Sequence, residues 1–288
     1  MSPLSEALSI AIEHHQSGRL PVAEQIYRQI LQADPNCYDA IHLLGVIARQ
    51  VGMHDVAVEL ISRAIQIKGN VPEFHNNLGG AYLDLQRLPE AVTSFRRAVQ
   101  LKPDYAVAHS NLGNALKEQG QLEDAIACCR KAVKLKPDYL DAHVNLGNAL
   151  REQGKPDKAV ACYQRALELN PQLPLTHSNL GNALKDLGKL EAAVGSYQRA
   201  LQLKPDFAEA HNNLGNAFKE QGKLDDPIGC YRRALELKPD YAEAHNNLGN
   251  ALVEQEHLEE AADCCRRALE LKPDYAVAYN NLGNALKS

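Results

Sequence analysis

No apolar run in this 288-residue chain approaches the roughly 20 residues that a membrane-crossing helix needs. Its start, MSPLSEALSIAIEHHQ, lacks a basic segment followed by a continuous apolar core. The chain therefore reads as soluble and cytoplasmic, with no export signal and no membrane partner. There is no arginine- or lysine-rich block either: 31 basic residues lie scattered among 36 acidic ones, for a net charge of -5. Nucleic acid is not an expected partner of such a surface. Seven cysteines, an odd number, include the adjacent pairs Cys128/Cys129 and Cys264/Cys265, and none stands in a CxxC or Cys/His ligand spacing. They read as small buried hydrophobes in a reducing compartment, and no metal or cofactor is expected. The motifs GxGxxG, GxxxxGK[ST], HExxH and GxSxG are all missing. The expectation is a protein that is not an enzyme and has no catalytic residues.

What is present is a repeat. The string KPDY or a close variant recurs with its proline at Pro103, Pro137, Pro171, Pro205, Pro239 and Pro273, 34 residues apart each time, and Pro35 and Gly69 hold the same phase earlier. With slots numbered from Ala106 (slot 1) to Tyr139 (slot 34), eight full repeats run over 4–275, and a half repeat covers 276–288. Residues 1–3 are left as a tail, and 4–288 as one solenoid.

Each repeat splits into two helical patterns. In the first, His109, Leu112, Gly113 and Leu116 share a face by the three-and-four rule, and Gly120 sits where a left-handed cap is wanted. The second opens after Leu122 with Glu123 and Asp124 in its first turn, where they favour the helix dipole. It presents Ala125, Cys129, Ala132 and Val133 as an apolar stripe, and Pro137 limits its continuation. Helices of about a dozen residues are marginal alone, so each pair must bury its stripe against the next. Small residues at slots 8, 20 and 27 permit close approach. Pro227 replaces the slot-20 alanine near a helix start, where the missing amide hydrogen costs little. Glu256 replaces the slot-15 glycine, which predicts strain or fraying there.

The 34-residue period with Leu at slot 7, Gly at 8, Ala at 20, Tyr or Phe at 24, Ala at 27 and Pro at 32 resembles the tetratricopeptide repeat. That resemblance implies an all-α fold, a right-handed superhelical solenoid of helix-turn-helix repeats, and a protein- or peptide-binding scaffold whose first helices line a concave groove. The phrases HNNLGNAFKEQGKL and YRRALELKPDYAEAH further resemble the arrays that precede the catalytic part of O-linked N-acetylglucosamine transferases and related bacterial proteins. Two alternatives follow: this chain is the substrate-recruiting portion of such a glycosyltransferase, cut from something longer, or it is a self-assembling spacer that associates end to end through its half repeat.

On the first helix, slots 2, 6, 9 and 13 form a stripe within about 60 degrees, roughly opposite the buried one. Slot 6 is Asn77, Asn111, Asn145, Asn179, Asn213, Asn247 and Asn281, and slot 9 adds Asn114, Asn148, Asn182, Asn216, Asn250 and Asn284. A carboxamide offers donors and an acceptor without charge, so a column of them can bond the backbone of an extended chain whatever its side chains. The asparagines could equally solvate the groove or bond the neighbouring helix. The slot-6 column looks like the asparagine ladder of the O-linked N-acetylglucosamine transferases. By the same resemblance slot-2 acids would touch substrate side chains: Glu73, Asp141, Glu209 and Glu243 match by charge, whereas Val107, Leu175 and Val277 do not. In the first two repeats Ile12, Leu43 and Val46 make the stripe apolar.

A chaperone-type carboxylate clamp asks for lysine at slot 5, where this chain has Ser110, Val144, Ser178 and Asn212. Lys117, Lys185 and Lys219 at slot 12, beside slot-13 acids, read as a solvated charged edge. The histidines His75, His109, His143, His177, His211 and His245 occupy slot 4 once per repeat. Stacked helices about 8 to 10 Å apart keep two such rings from sharing a zinc ion, so core packing is expected of them, with loosening below about pH 6.

Overall fold

The computed structural model describes residues 3–222 and 225–287, with the side chains of all but 225 and 226. Among these residues every regular element is a helix, and the helices alternate as the repeat predicts. The first helices of successive repeats, here called A helices, are α1 (Pro3–Gln16), α3 (Tyr38–Gln50), α5 (Pro72–Asp84), α7 (Ala106–Glu118), α9 (Leu140–Glu152), α11 (Pro174–Asp186), α13 (Ala208–Glu220), α15 (Ala242–Glu254) and α17 (Ala276–Leu286). The B helices are α2 (Leu20–Ala33), α4 (His54–Ile67), α6 (Leu88–Leu101), α8 (Leu122–Leu135), α10 (Pro156–Leu169), α12 (Leu190–Leu203), α14 (Asp225–Leu237) and α16 (Leu258–Leu271). Pro3 opens α1, where a missing amide hydrogen is harmless. Residues 1, 2 and 288 lie outside the described residues.

The chain divides into two compact units, 1–149 and 150–288. In the first, consecutive helices from α1 to α8 pack on one another, and A helices also touch: α3 with α5, and α5 with α7. In the second, consecutive helices from α10 to α17 pack in the same way, with α11 on α13, α13 on α15 and α15 on α17. Each unit thus carries a wall of neighbouring A helices.

Close approach inside a hairpin rests on slot 8 facing slot 24. A methyl group added to Gly215 would come within 2.6 Å of the Tyr231 ring, one on Gly79 within 2.7 Å of Phe95, and one on Gly113 would collide with the Cys129 sulfur. Slot 24 is therefore the variable knob, filled by Tyr27, Ile61, Phe95, Cys129, Tyr197, Tyr231 or Cys265, each at most 1% exposed. Around it the alanines of slots 20 and 27 are completely covered, as Ala125, Ala132, Ala193 and Ala200 show. The A helices bury more than the predicted stripe: slots 3 and 10, for example Ala108 and Ala115, are also at 0% exposure. These alanines let neighbouring A helices lie close.

The hairpin turn is held at slot 15 by left-handed backbone. Gly18, Gly52, Gly120, Gly154, Gly188 and Gly222 have φ between 70 and 81°, and two non-glycines take the same conformation, Gln86 at 58° and Glu256 at 63°. The strain expected at Glu256 is present, but the turn is not frayed: the Glu256 amide donates to the Val253 carbonyl at 3.1 Å and that of His257 to Leu252 at 2.9 Å. Gln86 carries the same strain, which its sequence context hides. Pro227 is the third residue of α14 and fully buried, in keeping with its expected place in the first turn.

Candidate functional site

The slot-6 asparagines lie on the A-helix walls, half-buried rather than free. Within the first unit, Asn111 donates its amide to Asn76 Oδ1 at 3.0 Å and Asn145 to Ser110 Oγ at 3.0 Å, and Asn77 Nδ2 lies 2.9 Å from His42 Nε2. Within the second, Asn247 donates to Asn212 Oδ1 at 3.0 Å, Asn281 to Asn246 Oδ1 at 2.9 Å and Asn213 to Asn182 Oδ1 at 3.1 Å. Most of these bonds span 35 residues, from slot 6 of one repeat to slot 5 of the repeat before. Slot 5 is the position that sequence reading missed. Asn76, Ser110, Ser178, Asn212 and Asn246 are small polar residues there and are buried. A polar side chain at slot 5 in most repeats, with Val144 an exception, was the available signal beside the asparagine column, since a buried polar group needs a partner.

The bond to the neighbouring helix engages only part of each carboxamide. Asn111, Asn145 and Asn213 have no recorded partner at Oδ1 among the described residues, and none of these oxygens is cut off from solvent. Each side chain is held in one rotamer by its amide while its carbonyl oxygen stays available. Asn179 is half-buried and engaged. Asn281 departs from the expected accessible stripe: it is only 9% exposed, because α17 lies directly on α15.

Slot 9 obeys a second rule, set by the knob beneath it. Where slot 24 is tyrosine, the phenol reaches up to the asparagine: Tyr197 Oη donates to Asn182 Oδ1 and Tyr231 Oη to Asn216 Oδ1, each at 2.8 Å. Burial raises the pKa of both phenols, so the donor proton is firmly held. Where slot 24 is cysteine, at Cys129 and Cys265, Asn114 and Asn250 have no recorded hydrogen bond and are half-buried. Asn148 is engaged, and Asn284 is exposed. The third repeat breaks the column: Gly80 stands at slot 9, and the Arg49 guanidinium lies where its side chain would be, 2.6 Å from an added methyl group.

The edges of the wall are ion-paired between repeats. Slot-12 bases reach slot-13 acids of the next repeat: Arg49 to Asp84 at 2.5 Å, Arg151 to Asp186 at 2.7 Å, and Lys185 to Glu220 and Lys219 to Glu254 at 3.0 Å. Lys117 instead pairs with Glu118 of its own repeat at 2.5 Å, so the expected charged edge is laced with ion pairs. At slot 2, Glu73 and Glu209 face Lys102 and Lys238 at 3.7 and 3.4 Å, while Leu175 is 60% and Val277 52% exposed.

The slot-4 histidines are not core residues, with His143 the one buried ring of the column. Each instead spans six residues back to the turn between repeats. The Nε2 atoms of His75, His109, His143, His177, His211 and His245 lie 2.9–3.1 Å from the carbonyls of Gly69, Pro103, Pro137, Pro171, Pro205 and Pro239. Among the described residues no group of histidine, cysteine or acidic side chains could hold a metal ion. Burial raises the pKa of the Cys264 thiol to about 11 and pushes those of Cys128 and Cys265 upward as well, which disfavours the thiolate form. No helix among the described residues is long and apolar enough to cross a membrane.

Family profiles described as "TPR repeat" match residues 79–120, 113–154, 147–188, 181–222 and 215–256, and profiles described as "Tetratricopeptide repeat" match 8–72 and 242–275. The chain belongs to the tetratricopeptide repeat family. No curated protein matches it in sequence. Its tetratricopeptide fold is similar to that of a chain in the APC/C hetero-tetramer Cut9-Hcn1, with a TM-score of 0.74 at 20% identity over 99% of this chain. This chain spans 57% of that one's length. It is also similar to YrrB, described as a TPR protein with an unusual peptide-binding site, with a TM-score of 0.52 at 25% identity over 66% of this chain and 97% of YrrB. A third relative is MamA, with a TM-score of 0.52 at 25% identity over 57% of this chain and 96% of MamA.

Proposed function

We propose that this tetratricopeptide protein binds extended segments of other proteins along its A-helix walls, without catalysis of its own. The observation that carries this reading is the set of solvent-reaching carbonyl oxygens of Asn111, Asn145 and Asn213, on side chains already fixed by their amide bonds. A ligand bonding to them loses little rotamer entropy from the protein side, which favours affinity. Extended backbone supplies the N–H groups such oxygens accept, and the unpartnered carboxamides of Asn114 and Asn250 add donors beside the column. YrrB, whose fold this chain shares, is described as having an unusual peptide-binding site, which supports a peptide-binding role here. A passive scaffold is the competing reading, favoured by the bonds that tie slot 6 to slot 5.

The two readings separate on one variant. Twelve-residue peptides selected from a random library on the native chain are retested on Asn111→Ala/Asn114→Ala/Asn247→Ala/Asn250→Ala. Binding is expected to weaken at least tenfold while helical circular dichroism is retained. Equal affinity for the variant leaves only the scaffold.

A further inference from the structure

The B helices carry basic residues at slots 25 and 26, and the two units treat them differently. In the second unit slot 26 is answered one turn on by slot 29: Arg165 pairs with Glu168 and Arg233 with Glu236 at 2.7 Å, and Arg267 with Glu270 at 2.8 Å. Arg199 bonds Gln202 at 3.1 Å. Slot 25 is answered too, with Arg232 on Glu260 at 2.8 Å and Arg266 on Asp263 at 2.6 Å.

On α6 and α8 the answering acids are gone. Slot 29 is Gln100 on α6 and Lys134 on α8. Arg96, Arg97, Arg130, Lys131 and Lys134 are all exposed, and none forms an ion pair among the described residues. Consecutive B helices share one surface at these slots: Arg232 of α14 reaches Glu260 of α16 at 2.8 Å, and Arg96 of α6 and Asp124 of α8 hold the same two positions. No ion pair joins Arg96 to Asp124 among the described residues. Five like charges left unneutralised on two neighbouring helices repel one another, a cost that an external anion removes.

We propose that the outer face of α6 and α8 is a second docking surface, which takes a short Asp/Glu-rich segment of a partner protein. It is separate from the asparagine wall, because slots 25, 26 and 29 lie on the B helices. An extended chain places same-face side chains about 7 Å apart, so a segment of about six residues with alternating carboxylates can meet several of these exposed cations. Acidic polypeptide fits better than nucleic acid. The patch is bounded by Glu90, Glu123 and Asp124 and sits on a chain of net charge -5, which repels a long polyanion outside the patch.

The test measures binding of a labelled ten-residue peptide alternating glutamate and serine at low salt, with the glutamine–serine peptide and a ten-nucleotide oligothymidine as alternative probes. The full chain is compared with Arg97→Gln/Lys131→Gln/Lys134→Gln and, as a control of equal charge change, Arg165→Gln/Arg233→Gln/Arg267→Gln. The expected result is at least fivefold weaker binding of the glutamate peptide to the first variant, little change with the control, and a loss of binding on adding salt. Equal weakening by both variants, no binding of the glutamate peptide to the native chain, or tighter binding of the oligothymidine overturns the proposal. The asparagine-wall variant serves as a further control: unchanged glutamate-peptide binding there keeps this surface distinct from the wall.

Discussion

The Tyr197 hydroxyl donates to Asn182 Oδ1 at 2.8 Å, and the same oxygen accepts the Asn213 amide at 3.1 Å. One carboxamide thus couples the buried knob of its own hairpin to the asparagine of the next repeat. Tyr197→Phe removes the phenol donor and leaves the ring in place. The expected cost is about 1 kcal/mol, the usual net worth of one hydrogen bond, read as a lower midpoint of urea unfolding with unchanged helicity. An unchanged midpoint means the bond is not formed in solution.

Glycine at slot 8 has two fates. Gly215→Ala drives a methyl group to 2.6 Å from the buried Tyr231 ring, and the expected loss is about 2 kcal/mol from overpacking. At Gly283 nothing lies within 4 Å of the added methyl, because no B helix follows α17 among the described residues. Gly283→Ala is therefore expected to be neutral or to stabilise by about 0.5–1 kcal/mol through helix propensity. Thermal melts of the two variants should move in opposite directions or by clearly different amounts.

The slot-15 turns predict a gain. Gln86 and Glu256 hold φ of 58 and 63°, where side chains are strained and glycine is not. Gln86→Gly and Glu256→Gly should each stabilise by about 0.5–1 kcal/mol after the larger backbone entropy of unfolded glycine is offset. Gly188→Ala, at φ of 70°, should lose about 1 kcal/mol. Urea midpoints that fall for both glycine replacements argue against left-handed backbone at these turns.

Acid sensitivity belongs to His42. The ring is 6% exposed, stacked on Phe74 with centroids 4.2 Å apart, and burial together with the charge of His15 lowers its pKa to about 4. The unfolded chain protonates this histidine near 6.5, so the unfolded state binds more protons below that value. Stability is fully present above pH 6.5 and is lost as pH falls toward 4. The expected loss at pH 5 is about 2 kcal/mol. His42→Gln should flatten the curve of unfolding midpoint against pH, and a curve of undiminished slope in that variant assigns the sensitivity elsewhere.

The sequence by itself determined the period, the two helices per repeat and their order, because proline at slot 32 and glycine at slot 15 act through the backbone within a few residues. It also determined which slots must be small, since Gly113, Ala125 and Ala132 recur wherever chains must approach. It could not say where the asparagines spend their amides. That was decided by stacking, which brings slot 6 against slot 5 of the previous repeat 35 residues away and so turns Asn111 toward Asn76. Tertiary structure likewise decided that the histidines serve turn carbonyls instead of the core. A helical wheel gives the angle at which His109 leaves its helix, but not the position of the Pro103 carbonyl, which belongs to the preceding turn. Local periodicity reaches only as far as one helix, and polar pairing is settled by whichever neighbour the packing delivers.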